Sequence, residues 1–134
     1  MKNLIIVTGG AGFVGSNLIK HLISKTNNQI ISLDNYSSGS KKNHIKSKRV
    51  KYINGDVEDI EKIVNKFNKK ISVLFHFGEF SRIHQSFTDI SKCIKTNISG
   101  TSKVFDFCLK NKIKIIYSAT SASLGNKGMD QNLS

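Results

Sequence analysis

The chain contains no proline, and cysteine (Cys93, Cys108) and arginine (Arg49, Arg82) occur only twice each. It also lacks any apolar run of about 20 residues, so no segment is expected to span a bilayer. The two cysteines fall on a stretch read below as one helix, where 15 residues would separate them by roughly 22 Å, too far for a disulfide. Histidine is sparse as well. His21, His44, His76 and His84 share no spacing typical of a zinc or di-metal site and read as surface or packing residues, so no metal is expected. Acidic residues number 9 against 21 basic, a net charge of +12. Such a balance ordinarily suggests a polyanionic partner. Nineteen of the basic residues are lysine, however, and arginine and aromatics are the residues expected at phosphate and base contacts. A basic solvated surface is the preferred reading, and no nucleic-acid partner is expected. The apolar stretch Leu4 to Val7 is too early and too short for a secretory signal, which points to a cytoplasmic protein.

With 134 residues the chain is long enough for one domain with a core of its own. Leu4-Ile5-Ile6-Val7 is a continuous apolar block that suits a strand buried on both faces of a parallel sheet. Phe13, Val14, Leu18, Ile19, Leu22 and Ile23 follow helical spacing, ended by Thr26-Asn27-Asn28. A second strand at Ile30 to Leu33 leads to a polar loop through Lys48, with room for a short helix. Val50 to Ile53 reads as a third strand, Val57 to Phe67 as a helix and Ile71 to Phe77 as a fourth strand. A long helix from Ile90 to about Asn111 and a fifth strand from Ile113 to Tyr117 complete the alternation. Strands joined in this way predict an α/β, Rossmann-type doubly wound parallel sheet, because right-handed crossovers place helices on both faces. The expected order is 3-2-1-4-5.

Thr8-Gly9-Gly10-Ala11-Gly12-Phe13-Val14-Gly15 lies between the first strand and the first helix, the context that gives a glycine pattern its meaning. The glycines can be counted as 9, 12 and 15 or as 10, 12 and 15. Either count provides a tight turn, a backbone that can approach a pyrophosphate, and helix N–H groups aimed at the anion. Asp34 ends the second strand about 20 residues on, where a carboxylate can accept hydrogen bonds from both adenosine ribose hydroxyls. It favours NAD over NADP, because a 2′-phosphate would meet its charge, although Lys41 and Lys42 stand near enough to offset part of the repulsion.

Six blocks in order carry a resemblance that covers the whole chain: Thr8 to Leu18, Asp34 to Gly39, Gly55-Asp56-Val57, His76-Phe77-Gly78-Glu79, Asn97 to Thr101, and Tyr117 to Gly125. In these the sequence resembles the extended short-chain dehydrogenase/reductase family, and within it the NAD-dependent nucleotide-sugar epimerases and dehydratases, of which UDP-glucose 4-epimerase is one. The resemblance implies NAD as cofactor. Gly9, Gly12, Phe13, Val14 and Gly15 would lie under the pyrophosphate, Asp34, Asn35, Ser37, Ser38 and Gly39 would line the adenosine ribose, and Asp56 and Val57 would contact adenine. Phe77, Gly78, Glu79 and Ser81 would run toward the nicotinamide, supported by Asn97, and Ser118 would stand at the end of the fifth strand. Val57 and Phe77 read equally well as core residues. By the same resemblance Thr120 is the catalytic hydroxyl that hydrogen-bonds the sugar hydroxyl being oxidised. Its family partner is a tyrosine with a lysine four residues later.

Three departures stand out. Leu124 replaces a usual tyrosine, Glu79 replaces a usually small residue, and none of Tyr36, Tyr52 or Tyr117 has lysine four positions on. Residues 1–134 are therefore expected to be a truncated NAD-binding domain, with the later strands and the C-terminal substrate domain absent and the fragment inactive alone. The parent is expected to take a nucleotide sugar, as a homodimer, with epimerase, dehydratase and decarboxylase chemistry all open. The alternative is a non-catalytic dinucleotide-binding module. Binding of nucleic acid through the basic surface is the third and least supported reading.

Overall fold

Leu4–Thr8 forms β1, and all five of its residues are buried. A strand can hide both faces only inside a sheet with helices above and below, which is why this segment carries uninterrupted Leu, Ile and Val. The computed structural model, which describes residues 3–67, 70–80 and 87–119, places β1 at the centre. β1 is followed by helix α1 (Phe13–Lys25), β2 (Gln29–Asp34), β3 (Val50–Asn54), α2 (Ile60–Val64), β4 (Ile71–His76), α3 (Ile90–Ile94), α4 (Thr101–Lys110) and β5 (Lys114–Tyr117). The strands are parallel in the order β3-β2-β1-β4-β5, as the alternation of elements predicted.

Alternation along the strands divides the core into two layers. Ile5, Val7 and Ile30 meet Ile19 and Leu22 of α1 on one face. On the other, Leu4, Ile6, Ile31, Leu33 and Leu74 meet Ile60 and Val64 of α2 and Val104 and Phe107 of α4. The single core expected from chain length is thus two apolar layers on either side of one sheet. No helix among the described residues is long and apolar enough to cross a membrane. Cys93 and Cys108 are both free thiols.

Two helical segments differ from the sequence reading. Val57–Phe67 is not one α-helix. Single 3₁₀ turns at Val57–Asp59 and Asn65–Phe67 flank the five residues of α2. The first turn, closed by Asp59 N–H donating to Asp56 O at 3.1 Å, brings the chain sharply from β3 into the helix and tucks Val57 inward. The expected long helix does run from Ile90 to Lys110, but a π-helical turn at Lys95–Gly100 separates α3 from α4. A wider turn of this kind re-aims side chains locally. Gly100 lies so close on Val57 that a Cβ there would come within 2.5 Å of Val57 Cγ2, while Asn97 of the same turn reaches the segment after β4. Among the described strands β5 pairs only with β4, leaving Ile116 and Tyr117 exposed.

Candidate functional site

The carboxyl ends of β1, β2, β4 and β5 open into one cleft of about 1330 Å³. Ligands of open parallel sheets bind where the chain order reverses, here between β1 and β4. Gly9 turns the chain out of β1 with φ +69°, and its N–H donates to Leu33 O at 2.8 Å. A Cβ at Gly9 would approach Phe77 O to 2.6 Å, so both the conformation and the fit require glycine. Gly10 packs on Ser32. Glycines 9 and 10 thus each have their own reason, and the two ways of counting the motif need not compete. At Gly12, by contrast, a Cβ would meet only Gly9 O, at 3.3 Å, and otherwise open space. Gly12 is the N-cap of α1, provides no side-chain cap and is followed by no acidic residue in the first turn. The N-terminal N–H groups of a 13-residue helix therefore face the cleft with no side chain of their own to neutralise them, a site suited to an anion such as pyrophosphate. Phe13 and Val14 line the cleft and are 83% and 56% exposed, unusual for apolar residues opening a helix.

Asp34 is 9% exposed and ties three segments together. Its Oδ2 accepts from Ala11 N–H at 3.0 Å, and its Oδ1 accepts from Tyr36 N–H at 2.8 Å. Each carboxylate oxygen keeps a lone pair directed elsewhere, and the side chain lines the cleft. Asn35, Ser37 and Ser38 continue the wall. Gly39 stands behind it, since a Cβ there would press on Ala11 and on Asp34 Oδ2. Asp56 also lies outside the lining and accepts from Asn35 Nδ2 at 2.8 Å. Asp56, to which the resemblance assigned an adenine contact, thus adjoins the cleft through its bond to Asn35.

Across the switch point, Phe77, Gly78 and Glu79 line the opposite end with Asn97 and Ser118. Asn97 clasps the backbone of Phe80: its Oδ1 accepts from Phe80 N–H at 2.6 Å and its Nδ2 donates to Phe80 O at 2.9 Å. A chain of hydrogen bonds, buried at Thr8 and His76, holds this wall to β1. Phe77 N–H and Gly78 N–H donate to Thr8 Oγ1, which lies 2.6 Å from His76 Nδ1. His76 Nε2 lies 2.9 Å from Thr101 Oγ1, and Thr101 donates in turn to Glu79 Oε1 at 2.9 Å. Because a carboxylate accepts only, the donors assign themselves: Thr101 receives the Nε2 proton of His76, and Thr8 donates to Nδ1. His76 is fully buried, and burial pushes its pKa below the ordinary value, partly opposed by the nearby Glu79 charge, so the neutral ring is the working form. Tyr117 also donates to Glu79 Oε1, at 2.8 Å, and this hydrogen bond, with burial, pushes the phenol pKa up.

Of the residues singled out in the sequence, fifteen meet on this one cleft: Gly9, Gly12, Phe13, Val14, Gly15, Asp34, Asn35, Ser37, Ser38, Val57, Phe77, Gly78, Glu79, Asn97 and Ser118. Val57 is buried among core residues and also lines the cleft. Ser81 and Thr120 lie outside the described residues. Sequence reasoning passed over Asn43, whose Nδ2 donates to Ala11 O at 2.8 Å, and Thr96. Asn43 sits in a polar loop without a motif and carried no signal; Thr96 adjoins the Asn97 block and was within reach.

The protein-family model described as the NAD dependent epimerase/dehydratase family matches residues 5–133. An ADP-L-glycero-D-manno-heptose-6-epimerase of Brachyspira hyodysenteriae is 35% identical over 129 residues, covering 92% of this chain and 39% of the relative. Among solved structures, the UDP-N-acetylglucosamine 4-epimerase from Methanobrevibacter ruminantium M1 in complex with UDP-N-acetylmuramic acid superposes with a TM-score of 0.84 at 32% identity. That alignment covers 100% of this chain and 44% of that one. The Bordetella bronchiseptica enzyme WbmG in complex with NAD superposes with a TM-score of 0.80 at 25% identity, over 93% of this chain and 40% of WbmG. The chain thus spans about two fifths of the length of the proteins it matches. Its sheet order, its glycine bend at the switch point and the family match over nearly its whole length agree: the chain belongs to the NAD-dependent epimerase/dehydratase family.

Proposed function

We propose that the chain is the NAD-binding part of a nucleotide-sugar epimerase or dehydratase. The observation that carries this reading is the continuity of the cleft. One groove joins Asp34, the open N-terminus of α1 and the Glu79–Ser118 end, in the order in which an extended dinucleotide presents ribose, pyrophosphate and nicotinamide. The open N-terminus of α1 would take the pyrophosphate, Gly12 leaves it room, and Asp34 would accept from the ribose hydroxyls. When bound, NAD supplies a hydride acceptor for the transient oxidation of a sugar hydroxyl.

The chain's own residues contribute placement. The Thr8–His76–Thr101 bonds fix the segment after β4, Asn97 fixes Phe80, and Ser118 stands at the end of β5 with Thr120 two positions on. Thr120 is the residue we assign to the sugar hydroxyl. Tyr117 does not serve as proton acceptor in this reading, because its hydrogen bond to Glu79 holds the phenol protonated. With no Tyr-x-x-x-Lys pair in its sequence, this chain is expected to bind cofactor without turnover. A homodimer of the full-length protein belongs to the same reading, supported by the exposed Ile90, Ile94 and Ile98 on one helical stretch.

Calorimetric titration of the purified protein with NAD and NADP tests the proposal. Saturable 1:1 binding of NAD, weaker binding of NADP and no conversion of nucleotide sugars are expected. Absence of NAD binding by a folded sample would refute it.

A further inference from the structure

The cleft is lined by two charged residues among those described, Asp34 at one end and Glu79 at the other. Glu79 is held unusually firmly for a residue in a loop. Its Oε1 accepts from both Thr101 Oγ1 and Tyr117 OH, at 2.9 and 2.8 Å, and Thr101 is itself held by the buried His76. A carboxylate fixed by two hydroxyl donors cannot swing away into solvent when a ligand arrives, so its charge acts on whatever fills that end of the cleft. If the pyrophosphate sits on α1 and the adenosine ribose points to Asp34, the other half of the dinucleotide extends across the switch point to the ends of β4 and β5, where Glu79 stands.

The two redox forms of that half differ by one unit of charge. The oxidised nicotinamide ring is cationic, and the reduced dihydro ring is neutral. We infer that Glu79 is a fixed counter-charge for the oxidised ring, so that the protein holds NAD⁺ in preference to NADH. The inference rests on the dinucleotide reading above and adds to it a residue that selects the redox state. Asp34, at the opposite end, meets the same adenosine in both forms and cannot contribute to the preference. A charge at the wall of a partly enclosed cleft is screened much less than one at the surface, so the effect is large enough to measure.

The test is calorimetric titration of the wild-type protein, Glu79→Gln and Tyr117→Phe with NAD⁺ and with NADH, each sample checked for folding by far-UV circular dichroism. Glu79→Gln keeps the shape and an acceptor oxygen but removes the charge. The ratio of the NADH to the NAD⁺ dissociation constant is expected to fall by about tenfold in Glu79→Gln. Tyr117→Phe takes one hydrogen bond from the same carboxylate but leaves its charge, and is expected to retain the wild-type ratio. Glu79→Ala supplies the charge-free comparison should Glu79→Gln not fold. An unchanged ratio in the charge-free variant would overturn the inference while leaving the dinucleotide reading intact. Loss of the preference in Tyr117→Phe together with its retention in Glu79→Gln would also overturn it, because the cause would then be the phenol and not the carboxylate charge. Failure of the folded wild type to bind either dinucleotide would refute the dinucleotide reading itself.

Discussion

Replacing Asp34 by Asn changes one atom's chemistry and almost none of its volume, which makes it the sharpest probe of the site. The carboxylate accepts from Ala11 N–H and Tyr36 N–H, one on each oxygen, at a position 9% exposed. An amide cannot do this. Whichever way the Asn side chain is turned, its NH₂ faces one of the two backbone donors, so one bond is lost and its N–H is left unpaired. The other bond becomes neutral rather than charge-assisted. An unpaired buried donor costs about 2 kcal/mol, the middle of the usual range, and loss of charge assistance adds up to about 1 kcal/mol, for a total of about 2–3 kcal/mol. At about 2.1 cal/mol/K of unfolding entropy per residue, that is a fall in Tm of about 7–11 °C. Urea and thermal denaturation without nucleotide read the effect directly. A loss below about 0.5 kcal/mol would show that the two bonds do not clamp the glycine bend to β2. The same variant also bears on cofactor choice. Any loss of folded protein weakens NAD and NADP alike, whereas removal of the carboxylate charge relieves only the repulsion of a 2′-phosphate. The NAD-to-NADP affinity ratio is therefore expected to drop independently of the stability loss, and an unchanged ratio would remove Asp34 from cofactor discrimination.

The glycines are expected to separate packing from binding. In Gly15→Ala the new Cβ falls on Gly9 O and within 2.8 Å of Gly10 Cα, backbone atoms that cannot turn aside. Destabilisation of about 3 kcal/mol or more is expected by urea denaturation, and wild-type stability would refute the close packing of α1 on the bend. Gly12→Ala, with only Gly9 O nearby, is expected to fold normally and to lose NAD affinity in the same titration. His76 sets a pH dependence. Its folded pKa lies below the ordinary 6.5, so the unfolded chain binds the proton more readily. Stability is then complete above pH 6.5 and is lost as pH falls through the lower folded value, by up to about 1.4 kcal/mol per pH unit. Denaturation curves at pH 7.5, 6.5 and 5.5 would show the slope, and His76→Gln would flatten it. A wild-type slope that survives in His76→Gln would place its origin elsewhere.

Strand order, the first helix and the bend after β1 were all legible in the sequence, because each depends on patterns within a few residues: apolar blocks, helical spacing and glycines at a strand–helix junction. Asp34 was legible too, since its distance from the bend along the chain follows from the length of one helix and one strand. The second role of Asp34, accepting from Ala11 N–H, was not, because that contact joins residues 23 apart. The π turn at Lys95–Gly100 was likewise hidden: its apolar spacing still reads as α-helix, and the reasons for widening lie in Val57 and Phe80 on other segments. Least legible was the chain from Thr8 through His76 and Thr101 to Glu79. In sequence Glu79 is an unusual residue in a run assigned to the nicotinamide side, and His76 only a histidine without metal spacing, with nothing to join the two. Local pattern determines which elements form, because backbone geometry repeats over short distances. Only the closing of the sheet decides which polar groups are buried together, and hydrogen bonds between residues as far apart as 8 and 76 exist only once that has happened.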